Sequence, residues 1–152
     1  MAPSTIDTDY LVVGAGAMGM AFTDALVDHA DVHVTLVDRR PTASGHWQDA
    51  YPFVRLHQAS LFYGVASTEL GTGSIQTTGP EAGLHERATQ PEIQAYYDDV
   101  VARLVGSGRV TFLGGHEHHA DSDRQRVTPL ASGEDVDVRV RRRVVDATCL
   151  SP

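Results

Sequence analysis

The sequence predicts an α/β fold in which a parallel sheet has flanking helices and a small antiparallel β-meander leaves that sheet. Three segments follow one another: a continuous apolar run at 10–13, apolar residues at helical spacing from Met18 to about Ala30, and a β-branched run at 32–37. Two parallel strands require a crossover connection, so this order of strand, helix and strand indicates a parallel pair. Residues 1–8 are expected to form a short polar lead.

The first helix is expected to bury one face. Its apolar and amphipathic residues at helical spacing are Met18, Phe22, Ala25, Leu26 and His29.

Length and composition favour one globular domain. The chain has 152 residues, of which 41% are hydrophobic, and that is enough for a core. A formal net charge of −8 gives little reason to expect nucleic acid or an anionic membrane as a partner, because such binding needs an excess of Arg and Lys. No stretch resembles a signal peptide or a membrane span. We therefore expect a cytoplasmic protein with a small-molecule ligand.

The most specific signal is the glycine loop, residues 14–19. Its sequence, Gly14-Ala15-Gly16-Ala17-Met18-Gly19, is a G-x-G-x-x-G that follows a predicted strand and opens a helix. The first glycine permits a tight turn, the second lets a pyrophosphate approach the backbone, and the third allows close packing of helix on strand. The exposed N–H groups of the helix would face the phosphates. The loop therefore predicts a Rossmann-type dinucleotide site.

Asp38 completes this fingerprint. It ends the second predicted strand 19 residues after Gly19, close to the spacing of about 20 that the motif shows. A carboxylate there accepts hydrogen bonds from a ribose diol and repels a 2′-phosphate, which favours FAD or NAD over NADP. Arg39 and Arg40 keep NADP as a minor alternative. The fingerprint by itself does not separate FAD from NAD.

The segment that follows resembles a known family. Ser44-Gly45-His46-Trp47 and the downstream run 51–57 resemble the G-G-x-W and arginine region of flavin-dependent monooxygenases and their relatives with two dinucleotide-binding domains. The resemblance implies that FAD occupies the glycine loop, that Asp38 binds the adenosine ribose, and that Gly45 and Trp47 lie along the flavin side. Ser44 replaces the first glycine of the family pattern.

Two side chains of the 51–57 run are further candidates. Arg55 could hold a phosphate through two hydrogen bonds, and His57 could hydrogen-bond or move protons near a flavin. The alternatives are a surface arginine and a loop histidine, and for Trp47 a core aromatic.

The second half predicts a helix and then the meander. Thr89-Gln90-Pro91-Glu92 is a capping box, and the apolar residues after it keep helical spacing: Ile93, Tyr96, Tyr97, Val100, Val101, Leu104 and Val105. Gly106 and Gly108 end the helix. A short strand follows at 110–113, and 126–130 is expected to pair with 136–140 through the turn at 132–135.

The last segment, 144–148, resembles the A-T-G strand that returns to the cofactor in these flavoproteins, with Cys149 in place of the glycine. A meander inserted before such a strand is typical of FAD domains, so FAD is favoured over NAD. The alternative is an ordinary buried strand. Cys149 is the only cysteine, so a disulfide-type flavoenzyme, which needs two, is excluded.

A metal site is the competing interpretation for His116, Glu117, His118 and His119. Only His116 and His118 would share one face of a strand, and two ligands are too few, so solvated loop histidines are favoured. The basic run 141–143 is interpreted as a solvated strand end.

Together these features predict a single FAD- or NAD(P)-binding Rossmann-type domain over 1–152, truncated before a reducing-nucleotide domain. The predicted function is the FAD-binding portion of a flavin-dependent, monooxygenase-like oxidoreductase, inactive without the missing remainder. An NAD-binding regulatory or dehydrogenase-type module is the first alternative and a His-cluster metal protein the second. No catalytic residue, substrate or oligomeric state is identified.

Overall fold

The computed structural model describes residues 5–148, which form one mixed sheet and two long helices. The strands are β1 (Thr5–Val13), β2 (Val34–Asp38), β3 (Val110–Gly114), β4 (His116–Asp121), β5 (Arg124–Pro129) and β6 (Val136–Asp146). The helices are α1 (Ala17–His29) and α2 (Gln90–Gly106), with two 3₁₀ turns at Gly45–Asp49 and Ser60–Phe62. No helix within residues 5–148 is long and apolar enough to cross a membrane.

The sheet has the order β3-β2-β1-β6-β5-β4. β1 pairs in parallel with β2 and with β6, and β2 pairs in parallel with β3. β5 runs antiparallel to β6 and to β4. The predicted α/β class, with its parallel sheet and antiparallel meander, is therefore confirmed.

The core lies on both faces of the parallel strands, because successive side chains of a strand point to opposite faces. Val12 and Leu36 face the layer formed by α1 and α2, whereas Leu11 and Val37 pack against Val127 of the meander. These side chains are at most 1% exposed. Truncating Leu11 or Leu36 to alanine is expected to cost about 2–5 kcal/mol of unfolding free energy.

The rotation of α1 differs from the sequence prediction. Met18 is 74% and Phe22 37% exposed, whereas the buried face of the helix consists of Gly19, Met20, Thr23, Asp24 and Val27. Gly19 causes the difference: a Cβ built there would lie 1.8 Å from the carbonyl oxygen of Gly14. The glycine face, rather than the most apolar one, must turn towards the sheet.

Helix α2 confirms its predicted start and end. The N–H and the hydroxyl of Thr89 both donate to Glu92 Oε2, each over 2.7 Å. These hydrogen bonds hold the pKa of the Glu92 carboxyl below its usual value. Ile93 and Leu104 of the predicted apolar face are buried, while Val105 is 43% exposed.

A buried carboxylate joins the two helices. Asp24 of α1 is fully buried and pairs with the guanidinium of Arg103 in α2. The N–H of Ser67 donates to the same carboxylate over 3.0 Å, and so does its hydroxyl. Asp24 thus connects α1, α2 and the long segment between β2 and α2.

Three sequence predictions about strand bounds were wrong. Residues 5–8 belong to β1 instead of a polar lead, because they pair with 137–140 of β6. The run 141–143 lies inside β6, which is continuous across a bulge opposite 8–10 in β1, and is not a strand end. The histidines at 116–119 form β4 instead of a loop, because they pair with 126–129 of β5.

Candidate dinucleotide site

The glycine loop lies at the carboxyl ends of the parallel strands, where ligands of open α/β sheets bind. The N–H of Gly14 donates to the Val37 carbonyl over 2.8 Å. Gly14 has φ = +102°, and a Cβ there would lie 2.9 Å from the Ala147 carbonyl oxygen. Both the backbone angle and the contact exclude a side chain, so the fold itself requires this glycine.

Gly16 is different from the other two glycines of the loop. Its backbone, at φ −76° and ψ −173°, is open to any residue. A Cβ on Gly16 would meet a single atom within 4 Å, the Cα of Gly45, at an ordinary 3.7 Å. The fold requires glycine at 14 and at 19, but nothing within residues 5–148 requires it at 16.

The first turn of α1 presents free donors beside Gly16. Gly16 is the N-cap and supplies no capping side chain, and the first helical hydrogen bond runs from Met20 N–H to the Gly16 carbonyl over 2.9 Å. Within the described part of the chain, the N–H groups of Ala17 and Met18 have no acceptor. Two aligned donors and the positive end of the helix dipole form a site suited to an anion.

Asp38 is oriented towards this loop. One carboxylate oxygen accepts the N–H of Ala15 at 2.6 Å, and the other accepts the N–H of Arg40 at 2.8 Å. A carboxylate has about four lone-pair positions, so these bonds leave capacity for the hydroxyls of a ribose. Asp38 therefore shapes the loop and can also take part in binding.

Residues 44 and 45 close one side of the site. The N–H of Ser44 donates to the Ala15 carbonyl at 3.0 Å, and its hydroxyl donates to Gln94 Oε1 at 2.5 Å. These bonds hold Ser44 at φ = +97°, a conformation that the glycine of the family pattern adopts more easily. A Cβ on Gly45 would lie 2.9 Å from the Cα of Gly16. Gly45 and Gly16 therefore approach each other backbone to backbone.

Trp47 lies under the 3₁₀ turn as a core aromatic. It is 7% exposed, its indole N–H donates to the Tyr63 hydroxyl at 2.5 Å, and the two rings meet edge to face with centroids 6.0 Å apart. Its ring supports the turn that carries Gly45.

Two arginines that the sequence predicts as site residues, Arg39 and Arg55, have partners outside the glycine loop. Arg39 points towards β4, where its guanidinium is 3.7 Å from the Glu117 carboxylate. The backbone of Arg55 forms an isolated antiparallel β-bridge with Thr89, just before α2. The Arg55 guanidinium donates to the Arg87 carbonyl at 3.2 Å. His57 is exposed.

The end of β6 returns to the loop, as the family resemblance implies. The N–H of Ala147 donates to the Val13 carbonyl at 2.8 Å, which places Ala147 against Gly14. The N–H and hydroxyl of Thr148 donate to Asp146 Oδ1 at 2.9 and 2.5 Å and hold the pKa of that carboxyl below its usual value. Cys149, which replaces the family's glycine, lies outside the described residues.

The histidine cluster does not converge on a metal site. His116 contacts the Gly114 carbonyl at 2.8 Å, and His118 contacts the Gln125 side chain at 2.7 Å. Across residues 5–148 no three metal-ligating side chains come together.

The sequence pattern did not identify two glutamines that support the site, Gln90 and Gln94. Gln94 bonds the Ser44 hydroxyl, and the amide of Gln90 donates to the Trp47 carbonyl at 2.9 Å. Their spacing of four residues places both amides on one face of α2, and that was the available signal. What they contact lies more than 40 residues earlier in the chain, which local pattern does not show.

Comparison with known proteins agrees with this geometry. The family of NAD(P)-binding Rossmann-like domains matches residues 12–66. The protein Rv2000 of Mycobacterium tuberculosis and Mb2023 of Mycobacterium bovis, both described as uncharacterized, are 50% identical to the chain over 147 residues. These matches cover 96% of this chain and 27% of each relative. The chain therefore spans about a quarter of the length of the curated relatives that it matches.

Solved structures show the same fold. A flavin-containing monooxygenase from Stenotrophomonas maltophilia superposes with a TM-score of 0.66 at 17% identity, covering 94% of this chain and 38% of the enzyme. A cyclohexanone monooxygenase superposes with a TM-score of 0.61 at 24% identity, covering 98% of this chain and 28% of the enzyme. The bacillithiol disulfide reductase of Staphylococcus aureus superposes with a TM-score of 0.60 at 12% identity, covering 95% of this chain and 39% of the reductase. The predicted resemblance to two-domain flavoproteins is thus confirmed at the level of the fold.

Proposed function

We propose that this chain is the FAD-binding portion of a flavin-dependent, monooxygenase-like oxidoreductase. The observation that carries the proposal is the free space at Gly16. A glycine that the fold does not need stands beside two N–H donors without acceptors. A ligand that lies against the backbone supplies the missing reason for this glycine.

The residues present suit the adenosine diphosphate part of such a cofactor. The diphosphate would lie against the N–H groups of Ala17 and Met18, with Gly16 beneath it. The ribose hydroxyls would donate to the remaining lone pairs of Asp38. Gly14 and Gly19 would shape the turn. When bound, the flavin supplies redox chemistry, and the chain supplies binding and orientation.

The outer residues of the predicted site have supporting roles in this proposal. The bare backbone of Gly45 leaves room beside Gly16 for the cofactor chain, and Trp47 keeps that backbone in place from below. Arg39 and Arg55 each have N–H groups beyond the ones already used, because a guanidinium carries five. We propose them as secondary contacts for cofactor phosphates.

FAD is proposed over the nucleotides that compete with it. The carboxylate of Asp38 disfavours a 2′-phosphate, which counts against NADP. The choice between FAD and NAD rests on the meander and on the return of 147–148 to the glycine loop, both of which the flavoprotein resemblance implies. The match to NAD(P)-binding domains keeps an NAD module as the second candidate.

We propose that residues 1–152 form one domain and that oxidoreductase activity needs further polypeptide. The single glycine loop can hold one dinucleotide. In the flavoproteins with two dinucleotide-binding domains that the sequence resembles, a second glycine loop holds NAD(P)H, and the mycobacterial relatives extend well beyond the matched region. We also propose a cytoplasmic, membrane-independent protein that acts on a small molecule.

A cofactor titration tests the proposal. Purified protein should take up FAD, retain the yellow flavin absorbance through gel filtration, and lose FAD to excess ADP-containing competitor. Trp47 is the only tryptophan, so its fluorescence should fall as flavin binds near the 3₁₀ turn. Protein that ignores FAD but binds NAD would establish the second candidate, and protein that ignores both would reject the dinucleotide site.

A further inference from the structure

The two arginines that follow Asp38 each have a carboxylate partner. Arg39 and Arg40 are the side chains that could hold the 2′-phosphate of NADP, since an arginine near the ribose accommodates that group. The guanidinium of Arg39 lies 3.7 Å from the Glu117 carboxylate in β4. The guanidinium of Arg40 pairs with the carboxylate of Asp49 at the end of the first 3₁₀ turn. Both positive charges beside the ribose position are therefore already paired.

Backbone contacts bring β4 to this position. Asp38 lies opposite Gly114 in the pairing of β2 with β3, and the N–H of Gly115 donates to the Arg40 carbonyl over 2.9 Å. A Cβ on Gly114 would lie 2.1 Å from the Pro41 carbonyl oxygen. The turn between β3 and β4 thus packs directly against the chain that follows β2. This packing places the start of β4 beside the residue after Asp38.

Carboxylates outnumber guanidinium groups at this end of the site. Asp38, Glu117 and Asp49 face two arginines, which leaves one negative charge in excess. The His119 ring nitrogen, 3.8 Å from the Glu117 carboxylate, adds a positive charge only when it is protonated. A phosphate monoester carries about −1.5 to −2 charges near neutral pH. It would meet this excess and would have to compete with a carboxylate for each guanidinium.

We propose that Glu117 and Asp49 are specificity-determining residues, which keep NADP out of the dinucleotide site by pairing with Arg39 and Arg40. This role rests on the proposed function, because it concerns the ribose end of the same site. FAD carries free ribose hydroxyls there, so the ion pairs leave its contact with Asp38 intact. Arg39 also retains N–H groups beyond its ion pair, so the phosphate contact proposed above stays available to it.

The test compares ADP with 2′-phospho-ADP, which differ only in the 2′-phosphate, by calorimetric titration of the whole chain. The unchanged protein should bind ADP at least about tenfold more tightly than 2′-phospho-ADP. Glu117→Gln combined with Asp49→Asn should reduce this ratio at least about fivefold through tighter binding of 2′-phospho-ADP, and each single change about twofold, because exposed ion pairs are individually weak. The affinity for ADP should change less than about twofold.

Matched variants separate the two ion pairs from overall charge. Glu69→Gln combined with Glu134→Gln removes the same charge at exposed positions that form no ion pair among residues 5–148. This control should leave the ratio unchanged. Adding Arg39→Gln and Arg40→Gln to the Glu117 and Asp49 variant should return the ratio to that of the unchanged protein, because no guanidinium is then free to hold the 2′-phosphate. Circular dichroism verifies that each variant is folded.

Three results would overturn the specificity role while ADP still binds. The ratio could stay the same in the variant that lacks both carboxylates and in each single variant. It could fall equally in the control variant, or the gain could persist after both arginines are removed. A chain that does not bind ADP at all would instead reject the dinucleotide site, and with it this role, so the two failures are distinguishable.

Discussion

A methyl group at position 16 separates what the fold requires of the glycine loop from what the ligand requires. The backbone of Gly16 has angles that alanine adopts freely, and its new Cβ would meet the Cα of Gly45 at an ordinary 3.7 Å. Alanine is a poorer N-cap than glycine, but it also loses less entropy on folding. Because these effects oppose each other, Gly16→Ala should change the unfolding free energy by about 1 kcal/mol or less.

The effect on cofactor binding should be larger. The methyl group would occupy the space through which a diphosphate reaches the N–H groups of Ala17 and Met18. A shift of the phosphates away from these donors weakens both hydrogen bonds. We expect FAD to bind at least about tenfold more weakly, which corresponds to about 1.4 kcal/mol.

Gly19→Ala is the matched control for Gly16→Ala. Its Cβ would lie 1.8 Å from the Gly14 carbonyl oxygen, and overpacking of this kind costs about 1–3 kcal/mol or more. Urea unfolding and FAD titration are measured on both variants. The account predicts a stable Gly16→Ala protein that binds poorly and a destabilised Gly19→Ala protein. Unchanged FAD affinity in the Gly16→Ala protein, or destabilisation as large as that of Gly19→Ala, would refute the reasoning.

Three further changes test other parts of the structure. Asp38→Asn should weaken the binding of FAD and of NAD about tenfold, as expected for loss of a charged acceptor. The binding of NADP should weaken much less, because the repulsion between the carboxylate and the 2′-phosphate disappears. Competitive titration measures the three affinities, and equal losses for all three would contradict the ribose role. Asp24→Asn should lower the unfolding free energy by about 1–3 kcal/mol, because the Arg103 guanidinium loses its buried partner; unchanged urea unfolding would show that the pair is dispensable. The pKa of Glu92 in the folded state is lowered from 4.5, first by the Thr89 N–H and then by the Thr89 hydroxyl, so its stabilisation is present above pH 4.5 and is lost as the pH falls through the folded value. Glu92→Gln should therefore lower Tm at pH 7, and the difference should shrink as the pH is lowered below 4.5; a difference that stays constant with pH would contradict the capping role.

The glycine loop and Asp38 could be predicted because their chemistry is local. A turn, a helix start and a strand end lie within 25 residues of one another, and each of Gly14, Gly16 and Gly19 has a distinct backbone role. The capping box at 89–92 is local in the same sense. Such features need no knowledge of distant contacts.

The remaining features depend on partners that are far away in the sequence. The polar residues 5–8 form a strand only because 137–140 lie beside them, and the histidine-rich run 116–119 forms one only because of β5. The rotation of α1 follows from contact between Gly19 and Gly14, which apolar periodicity does not report. The bond between Ser44 and Gln94 joins residues 50 positions apart. Local sequence pattern therefore predicts most of the helices and strands, whereas contacts between distant residues determine where the strands begin and which face of α1 is buried.

Nuclear magnetic resonance of the amide groups tests the central claim most directly, since a chain of 16.4 kDa gives resolved amide spectra. The account predicts that FAD shifts the N–H signals of Gly16, Ala17 and Met18 most strongly, and that ADP reproduces these shifts. Shifts by FAD that leave these three amides unchanged would contradict it.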